Sequence, residues 1–245
     1  MLADVTPQLI SEHFEAMPQS NATATKYLKN LQHAFGIAVK KWGWLSDNPT
    51  LKVTTPAQPK GRVRFLDDDE RATLLKFCHE SPNKTLYTCV VLALSTGMRQ
   101  GELMGLQWRD VNLDDGFLIL HETKNGERRR VALAGLGLEL LRNHAEEKTD
   151  NAPLLFPSER KPEQPIDLRK AFNNALKVAN VQDFHWHDLR HCTASYLAMN
   201  GASLAEIAEV LGHKTLAMVK RYAHLSDSHV SNVVASMNHK MFGGV

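Results

Sequence analysis

The chain has 245 residues, of which 43% are hydrophobic and 23% are charged, and its formal net charge at pH 7 is +2. This composition is typical of a globular protein with one large domain or two small ones. Apolar runs are short and the amino-terminal segment has no apolar core, so we expect neither a transmembrane helix nor a signal peptide. The three cysteines are odd in number and lack metal-ligand spacing, which favours reduced thiols in a cytoplasmic protein.

The amino-terminal part predicts a helical segment followed by a linker. Its apolar residues share one stripe: Tyr27 or Leu28, Leu31, Phe35, Ala38 and Trp42. Four lysines lie mostly outside that stripe: Lys26, Lys29, Lys40 and Lys41. The stretch TTPAQPKGRVR at 54–64 has two prolines, a glycine and no hydrophobic periodicity, which indicates a boundary. About sixty residues are marginal for an independent core, so we expect an incomplete domain or a lid.

The periodicity after the linker is mainly helical. LDDDERATLLKFCHES predicts a capped helix, NKTLYTCVVLALSTG a buried helix that ends at Gly97, and GELMGLQWRDVNL a short helix. GFLILHETKNGERRRVAL predicts a β-hairpin with strands near 117–122 and 128–133. Helices are then predicted at 135–147, 167–180, 187–200 and 203–211, followed by a helix carrying LAMVKRYAHL and a tail. The predicted fold class is mainly α with a small antiparallel β-sheet (α+β).

The stretch HWHDLRHCTAS, residues 185–195, is a candidate anion site. His187 and Arg190 are three residues apart, so they share a face near the start of the predicted helix. Because the amino end of a helix favours anions, this pair indicates a phosphate site. A capped surface helix with a solvated His/Arg edge fits the stretch alone about equally well.

Two other segments carry candidate cations. Arg99 follows the buried helix and needs a partner, which is either Glu102 or an anion. Lys124 lies at the hairpin turn, where it is either a solvated lysine or, with the adjacent arginine cluster 128–130, a contact to a phosphate backbone.

The stretch SLAEIAEVLGHKTLAMVKRYAHL has two interpretations. Ser203 and Glu206 form a capping box, Gly212 ends that helix, and a second helix carries Tyr222. This outline also describes a helix-turn-helix DNA reader, in which Tyr222 is a packed aromatic beside Met218. In the rival interpretation Tyr222 is a nucleophile and His213 donates a hydrogen bond to a phosphate.

Five motifs in order resemble those of the tyrosine recombinases, the phage integrase family: TGMRQGEL, ETKNG, HDLRH, LGHKT and KRYAHLS. The likeness covers residues from about 63 to 226 and extends weakly into the amino-terminal part. Carried over, it implies six catalytic residues: Arg99, Lys124, His187, Arg190, His213 and Tyr222. The two arginines would clamp the scissile phosphate, the lysine would protonate the leaving 5′ oxygen, and the tyrosine would form a 3′-phosphotyrosyl intermediate. Glu102 and His191 match positions that support the clamp, and Cys192 stands where threonine is more usual.

The resemblance also implies an organisation and partners. We expect a partial helical core-binding domain at 1–58, a catalytic domain at 59–225, and a tail helix at 226–245 that is exchanged between protomers. The expected partner is double-stranded DNA at recombination core sites, bound as a homotetramer, with accessory DNA-bending proteins and without membrane, metal or cofactor. Expected DNA contacts are Lys26, Lys29, Lys40, Lys41, Arg128, Arg129 and Arg130. In solution the chain is expected to be a monomer or weak oligomer.

Two other functions stay open at this point. The first is a degenerate or non-catalytic DNA-binding protein, including a helix-turn-helix regulator. The second is relaxation of supercoiled DNA by a related topoisomerase chemistry. A regulator has no use for all six implied catalytic residues, which favours site-specific integration or excision of phage or other mobile DNA.

Overall fold

The computed structural model describes residues 2–55, 57, 63–121, 128–146 and 152–243. The chain divides into two compact units, Met1–Arg62 and Val63–Val245. The finer sequence-based division into three parts stays a prediction. No helix in the described ranges is long and apolar enough to cross a membrane.

The first unit contains two helices, α1 (Pro7–Glu15) and α2 (Asn21–Lys40). Each begins at a hydroxyl N-cap, Thr6 for α1 and Ser20 for α2, whose oxygen accepts a hydrogen bond from a first-turn amide. The core of this unit is small and consists of Ile10, Leu28 and Val53, with Val5, Phe14 and Leu31 packed around it. Helix α1 was not among the predicted elements.

The apolar stripe of α2 is confirmed except at its ends. Leu28, Phe35 and Ala38 are buried, which decides between Leu28 and Tyr27, since Tyr27 is exposed. Trp42 is 54% exposed and stacks on Trp44 with ring centroids 4.3 Å apart. It therefore extends beyond the buried stripe that the periodicity predicted.

The second unit is mainly helical and matches the predicted series closely. Its helices are α3 (Asp68–His79), α4 (Lys84–Thr96), α5 (Gln100–Met104), α6 (Gly135–Glu146), α7 (Arg169–Val178), α8 (Trp186–Met199), α9 (Leu204–Leu211) and α10 (Asp227–Phe242). Helix α4 is apolar on nearly every face and packs against α8 and its neighbours. It ends at Gly97, whose φ of +62° suits a residue without a side chain.

The small sheet has three antiparallel strands, β1 (Val111–Asn112), β2 (Phe117–Leu120) and β3 (Arg129–Ala132), in that order. Strands β2 and β3 confirm the predicted hairpin, with Leu118 opposite Val131. Strand β1 was not predicted because two residues are too short to show a period of two. The hairpin tip, including Lys124, lies outside the described residues.

The predicted α-helix through LAMVKRYAHL is wrong in type. The chain forms two short 3-10 segments, Leu216–Met218 and Lys220–Ser226. A 3-10 turn places residues i and i+3 on the same side, which buries Val219 and Tyr222 together. Among the described residues after α9, no second α-helix precedes α10, so this stretch lacks the reading helix of a helix-turn-helix.

Candidate active site

The amino end of α8 places His187 and Arg190 on one face, as the sequence predicted. The side chain of Asp188 fixes this end, because its Oδ2 accepts a hydrogen bond of 2.7 Å from the backbone N–H of His185. His187 keeps an exposed edge, while Arg190 is only 4% exposed. Partial burial and then the charge of Arg190 lower the pKa of His187, which favours its neutral form at pH 7.

Arg190 is held by backbone carbonyls at the ends of two helices. Its guanidinium donates to the carbonyl of Gly97 at 2.5 Å, after α4, and to the carbonyl of Leu211, the last residue of α9. The final carbonyls of a helix lack partners within the helix and carry partial negative charge, so a buried guanidinium is stabilised there. Burial, and next the charges of Arg99 and Arg129, lower the pKa of Arg190 to about 10.

A second group of charges surrounds Glu102. Arg99 donates to Glu102 Oε1 at 2.6 Å from its side chain and to Oε2 at 2.9 Å from its backbone N–H. Arg129 lies 3.3 Å from Oε2 and also donates to the carbonyl of Val210 at 2.6 Å. Burial disfavours the ionised carboxylate, but the hydrogen bonds from Arg99 and the two positive charges outweigh it and lower the pKa of Glu102. Of the two partners that the sequence left open for Arg99, the structure shows Glu102.

Arg129 belongs to this group, although the sequence placed it with the exposed DNA contacts. Its side chain is 12% exposed, whereas Arg128 and Arg130 on either side are exposed. Arg130 lies over the Phe117 ring, 4.0 Å from the ring centroid. The strand period of two was a usable signal, because Arg129 shares the inward face of β3 with Val131.

His213 is positioned by the way α9 ends. The backbone N–H of Gly212 donates to Glu209, and that of His213 donates to Ala208 at 2.8 Å, which is a Schellman motif. Gly212 has φ +63°, and a Cβ there would lie 2.8 Å from the Arg129 side chain. Burial, and then the charges of Arg190 and Arg99, lower the pKa of His213 to about 4. Its buried Nδ1 has no hydrogen-bond partner among the described residues.

Tyr222 lies at the other edge of this group. It is 1% exposed and packs with Ile207, Leu211 and Val219, whereas Met218, expected beside it, is exposed. Its hydroxyl is hydrogen-bonded to Nδ1 of His191, one turn beyond His187 on α8. Burial raises the pKa of Tyr222, and the charges of Arg221 and Arg190 oppose that rise.

The structure thus brings together most of the residues that the sequence singled out. One group combines Arg99, Glu102, His187, Arg190, His191, His213 and Tyr222, and it also includes Arg129. Three guanidiniums, those of Arg99, Arg129 and Arg190, meet two carboxylates here, those of Glu102 and Asp188, so the positive charge exceeds the negative charge and suits a phosphate. Lys26, Lys29, Lys40 and Lys41 are exposed in the first unit. Within the described ranges, no three His, Cys, Asp or Glu side chains are grouped as metal ligands.

Comparison with known protein sequences gives a consistent family. The model of the phage integrase family matches residues 64–229. The chain is 32% identical over 237 residues to a shufflon-specific DNA recombinase of Escherichia coli, covering 91% of this chain and 55% of that protein. It is 29% identical over 229 residues to the integrase of Salmonella phage P22, covering 89% and 58%. The chain therefore spans just over half the length of these relatives.

Solved structures show the same fold. A lambda integrase (75–356) dimer bound to a COC′ core site superposes with a TM-score of 0.76 at 24% identity, covering 92% of this chain and 82% of that one. The XerH site-specific recombinase bound to a palindromic difH substrate gives a TM-score of 0.78 at 20% identity, covering 96% and 73%. Together with the family match over more than half of its length, this establishes that the chain belongs to the phage integrase family of tyrosine recombinases.

Proposed function

We propose that this protein is a site-specific DNA recombinase that cuts and rejoins DNA through a 3′-phosphotyrosyl intermediate, with Tyr222 as the nucleophile. The observation that carries the proposal is the convergence of Arg99, Arg190 and Tyr222 from separate parts of the chain. An isolated DNA-binding module has no need for a buried phenol beside clustered guanidiniums.

The arginines suit the transition state of phosphoryl transfer. Attack on a phosphodiester builds a five-coordinate phosphorus with extra negative charge on its non-bridging oxygens. Planar guanidiniums offer paired donors matched to those oxygens, and Arg190 is already oriented by the carbonyls of Gly97 and Leu211. Such preorganised donors are each worth about 10²–10³ in rate. The cations come from side chains, so we propose a reaction without a metal or another cofactor.

Lys124 is the proposed acid for the leaving 5′ oxygen, on the strength of its place between β2 and β3. The broken phosphodiester would be retained as a phosphotyrosine ester, which a 5′ hydroxyl from another strand reopens without ATP. A substrate with sulfur at the bridging 5′ position should restore cleavage by Lys124→Ala, because a thiolate leaves without a proton.

Double-stranded DNA at a core site is the proposed partner, and integration or excision of phage or other mobile DNA in the cytoplasm is the proposed role. The lambda integrase and XerH structures are complexes with their own DNA sites. In this chain the exposed cations proposed to meet the phosphate backbone are Lys26, Lys29, Lys40, Lys41, Arg128 and Arg130. Arg129 is left out of this set because its side chain is only 12% exposed and donates to the carbonyl of Val210, whereas the six cations named above are exposed.

The test is covalent trapping on nicked suicide duplexes drawn from the DNA that flanks the gene. The wild-type protein should form an adduct resistant to denaturation, and Tyr222→Phe should bind the same duplex without forming one. The control Tyr27→Phe changes an exposed tyrosine of the first unit and should leave the adduct yield unchanged. DNA binding by the wild type without any adduct would instead support a non-catalytic DNA-binding protein.

We also propose that the tail helix α10 docks on a neighbouring protomer in a tetramer on DNA, assisted by DNA-bending proteins. Its apolar stripe consists of Val230, Val233, Val234, Met237 and Met241, which are 48–62% exposed. The first turn of α10 packs against its own unit, because the His229 ring lies close to the backbone of Gly201. A Cβ on Gly201 would be only 2.5 Å from that ring. An exposed stripe of this kind favours burial against a partner.

Deleting residues 230–245 tests this docking because it removes the stripe and keeps His229. The shortened protein should still bind a half-site but form fewer complexes of four protomers on paired sites, as measured by native gel and light scattering. Unchanged assembly would contradict the exchanged tail.

A further inference from the structure

The two histidines of α8 that face the site have different partners. His187 and His191 are one turn apart, with ring centroids 5.4 Å apart. His187 shares a helix face with Arg190, and after burial the charge of Arg190 is the next cause that lowers its pKa. His191 instead makes a hydrogen bond through Nδ1 to the hydroxyl of Tyr222. The first histidine therefore belongs to the phosphate clamp and the second to the nucleophile.

The charges around His191 decide which atom of this pair holds the proton. Burial, followed by the neighbouring His187 and the charges of Arg221 and Arg190, lowers the pKa of His191 to about 4, against the opposing charge of Asp188. The imidazole is therefore neutral at pH 7. Since burial also raises the pKa of Tyr222, the phenol keeps its proton. The neutral ring then accepts at Nδ1 and carries its own hydrogen at Nε2.

We propose that His191 is the general base that takes the phenolic proton when Tyr222 attacks the scissile phosphate. This inference rests on the proposed recombinase function. As the bond between the Tyr222 oxygen and phosphorus forms, the phenolic proton passes to Nδ1, and the bond from phosphorus to the 5′ oxygen breaks. The leaving 5′ oxygen takes a proton from a separate acid. In rejoining, the imidazolium returns its proton to the departing phenol, so atoms and charges balance in both directions.

The environment of His191 changes in the direction that this role needs. A bound phosphate places negative charge beside His187 and Arg190, which offsets the positive charges that hold the imidazole neutral. DNA binding therefore makes His191 a stronger base at the moment of attack. The phenol loses its basicity as its oxygen becomes an ester, so the proton is not drawn back.

The first experiment compares His191→Asn with His191→Ala in single-turnover adduct formation on a nicked duplex. The asparagine carbonyl can accept the hydrogen bond from Tyr222 but cannot take up a proton. If His191 is the base, both variants lose about 10²-fold or more in rate while binding DNA within a few-fold of the wild type. If it only positions the tyrosine, Asn restores the rate to within a few-fold, which would overturn the proposal.

The second experiment replaces Tyr222 by a ring-fluorinated tyrosine, whose phenol is more acidic. Because a more acidic phenol needs less help from a base, the defect of His191→Asn should shrink at least tenfold with the fluorinated residue. An equal defect with both phenols contradicts proton transfer to His191.

The third measurement needs no substitution at His191 and covers the case in which both variants are misfolded. With His191 intact, the rate of adduct formation should be nearly constant from about pH 6 to 8, because the base is neutral throughout. Attack by free phenolate would instead raise the rate tenfold per pH unit, and that slope would reject the proposal. A wild-type protein that forms no adduct refutes the proposed function itself, whereas an active wild type with an equally active His191→Asn refutes only the role of His191.

Discussion

Helices α8 and α10 belong to the same unit and have opposite surroundings. Helix α8 buries charged and polar side chains, including Asp188, Arg190 and Thr193, along with its apolar residues. Helix α10 has an apolar stripe that runs from Val230 to Met241, and every member of that stripe is exposed. The two helices are equally hydrophobic on average, so average hydrophobicity does not explain why one is buried and the other exposed.

The difference between α8 and α10 is explained by the hydrogen-bond partners that the polar side chains of α8 find inside the unit. Each of the three polar groups named in α8 has an acceptor or donor within reach: Arg190 reaches the ends of α4 and α9, Thr193 donates to Leu94 at 2.8 Å, and Asp188 accepts from His185. Burial of a polar group is tolerated when its hydrogen bonds are made, so α8 can hold charge in the core. Helix α10 carries exposed apolar surface, which the proposed docking on a neighbouring protomer would bury.

The largest expected effect is on catalysis by Arg190→Lys in α8. Lysine keeps the charge but cannot bridge the two helix-end carbonyls and offer a planar fork to the phosphate. We expect adduct formation to fall about 10³-fold with DNA binding within about tenfold. The control Lys240→Arg changes a cation of α10 and should leave cleavage within twofold. A loss below tenfold for Arg190→Lys would show that charge alone suffices.

The second prediction contrasts matched truncations in the two helices. Leu189→Ala removes a fully buried side chain of α8 and should lower the free energy of unfolding of the isolated chain by about 3 kcal/mol. Met237→Ala, at a position 48% exposed in α10, should lower it by less than about 0.5 kcal/mol. Urea denaturation of both variants measures the difference, and equal losses would mean that α10 packs on its own unit in solution.

The third prediction concerns the pH dependence of stability that comes from His191 on α8 and His213 just after α9. The pKa values of His191 and His213 fall to about 4 from an ordinary 6.5, so the unfolded chain binds protons at these sites before the folded chain does. Stability from these groups is complete above about pH 6.5, falls as the pH drops, and levels off below about 4. The double variant His191→Gln, His213→Gln should lose less stability than the wild type between pH 6.5 and 4, measured by denaturation midpoints. If stability changed with pH in the same way in both proteins, the two imidazoles would be exposed to solvent in the folded protein.

The sequence predicted most helices because their signals are local. The capping box of Ser203 and Glu206, the glycine ends at Gly97 and Gly212, and the apolar period of each helix act within a few residues. The motif series predicted the site residues by resemblance, and the structure brings most of them together. Their catalytic roles stay predictions, and Lys124 lies outside the described residues.

Other features depend on contacts between distant residues. The strand period of two indicated that Arg129 faces inward, but no local pattern indicated which residues it would contact. Arg129 lies in the site because β3 directs its side chain toward Glu102, 27 residues away in the sequence, and toward Val210 near the end of α9, 81 residues away. The stretch around Tyr222 forms 3-10 turns in place of the predicted α-helix, and Val219 and Tyr222 are buried there in one cluster with residues of α8 and α9. The hydrogen bond between His191 and Tyr222 also joins two residues that are distant in the sequence.

By itself, the sequence determined the family, the order of most of the elements and the residue types of the site, because caps, periods and motifs are encoded within short stretches. Only the tertiary structure decided which arginines share Glu102, which histidine meets the Tyr222 hydroxyl, and that the stripe of α10 is left exposed. Those outcomes depend on which groups satisfy one another's hydrogen bonds and charges across the fold, and a buried polar group is stable only where that partner is present.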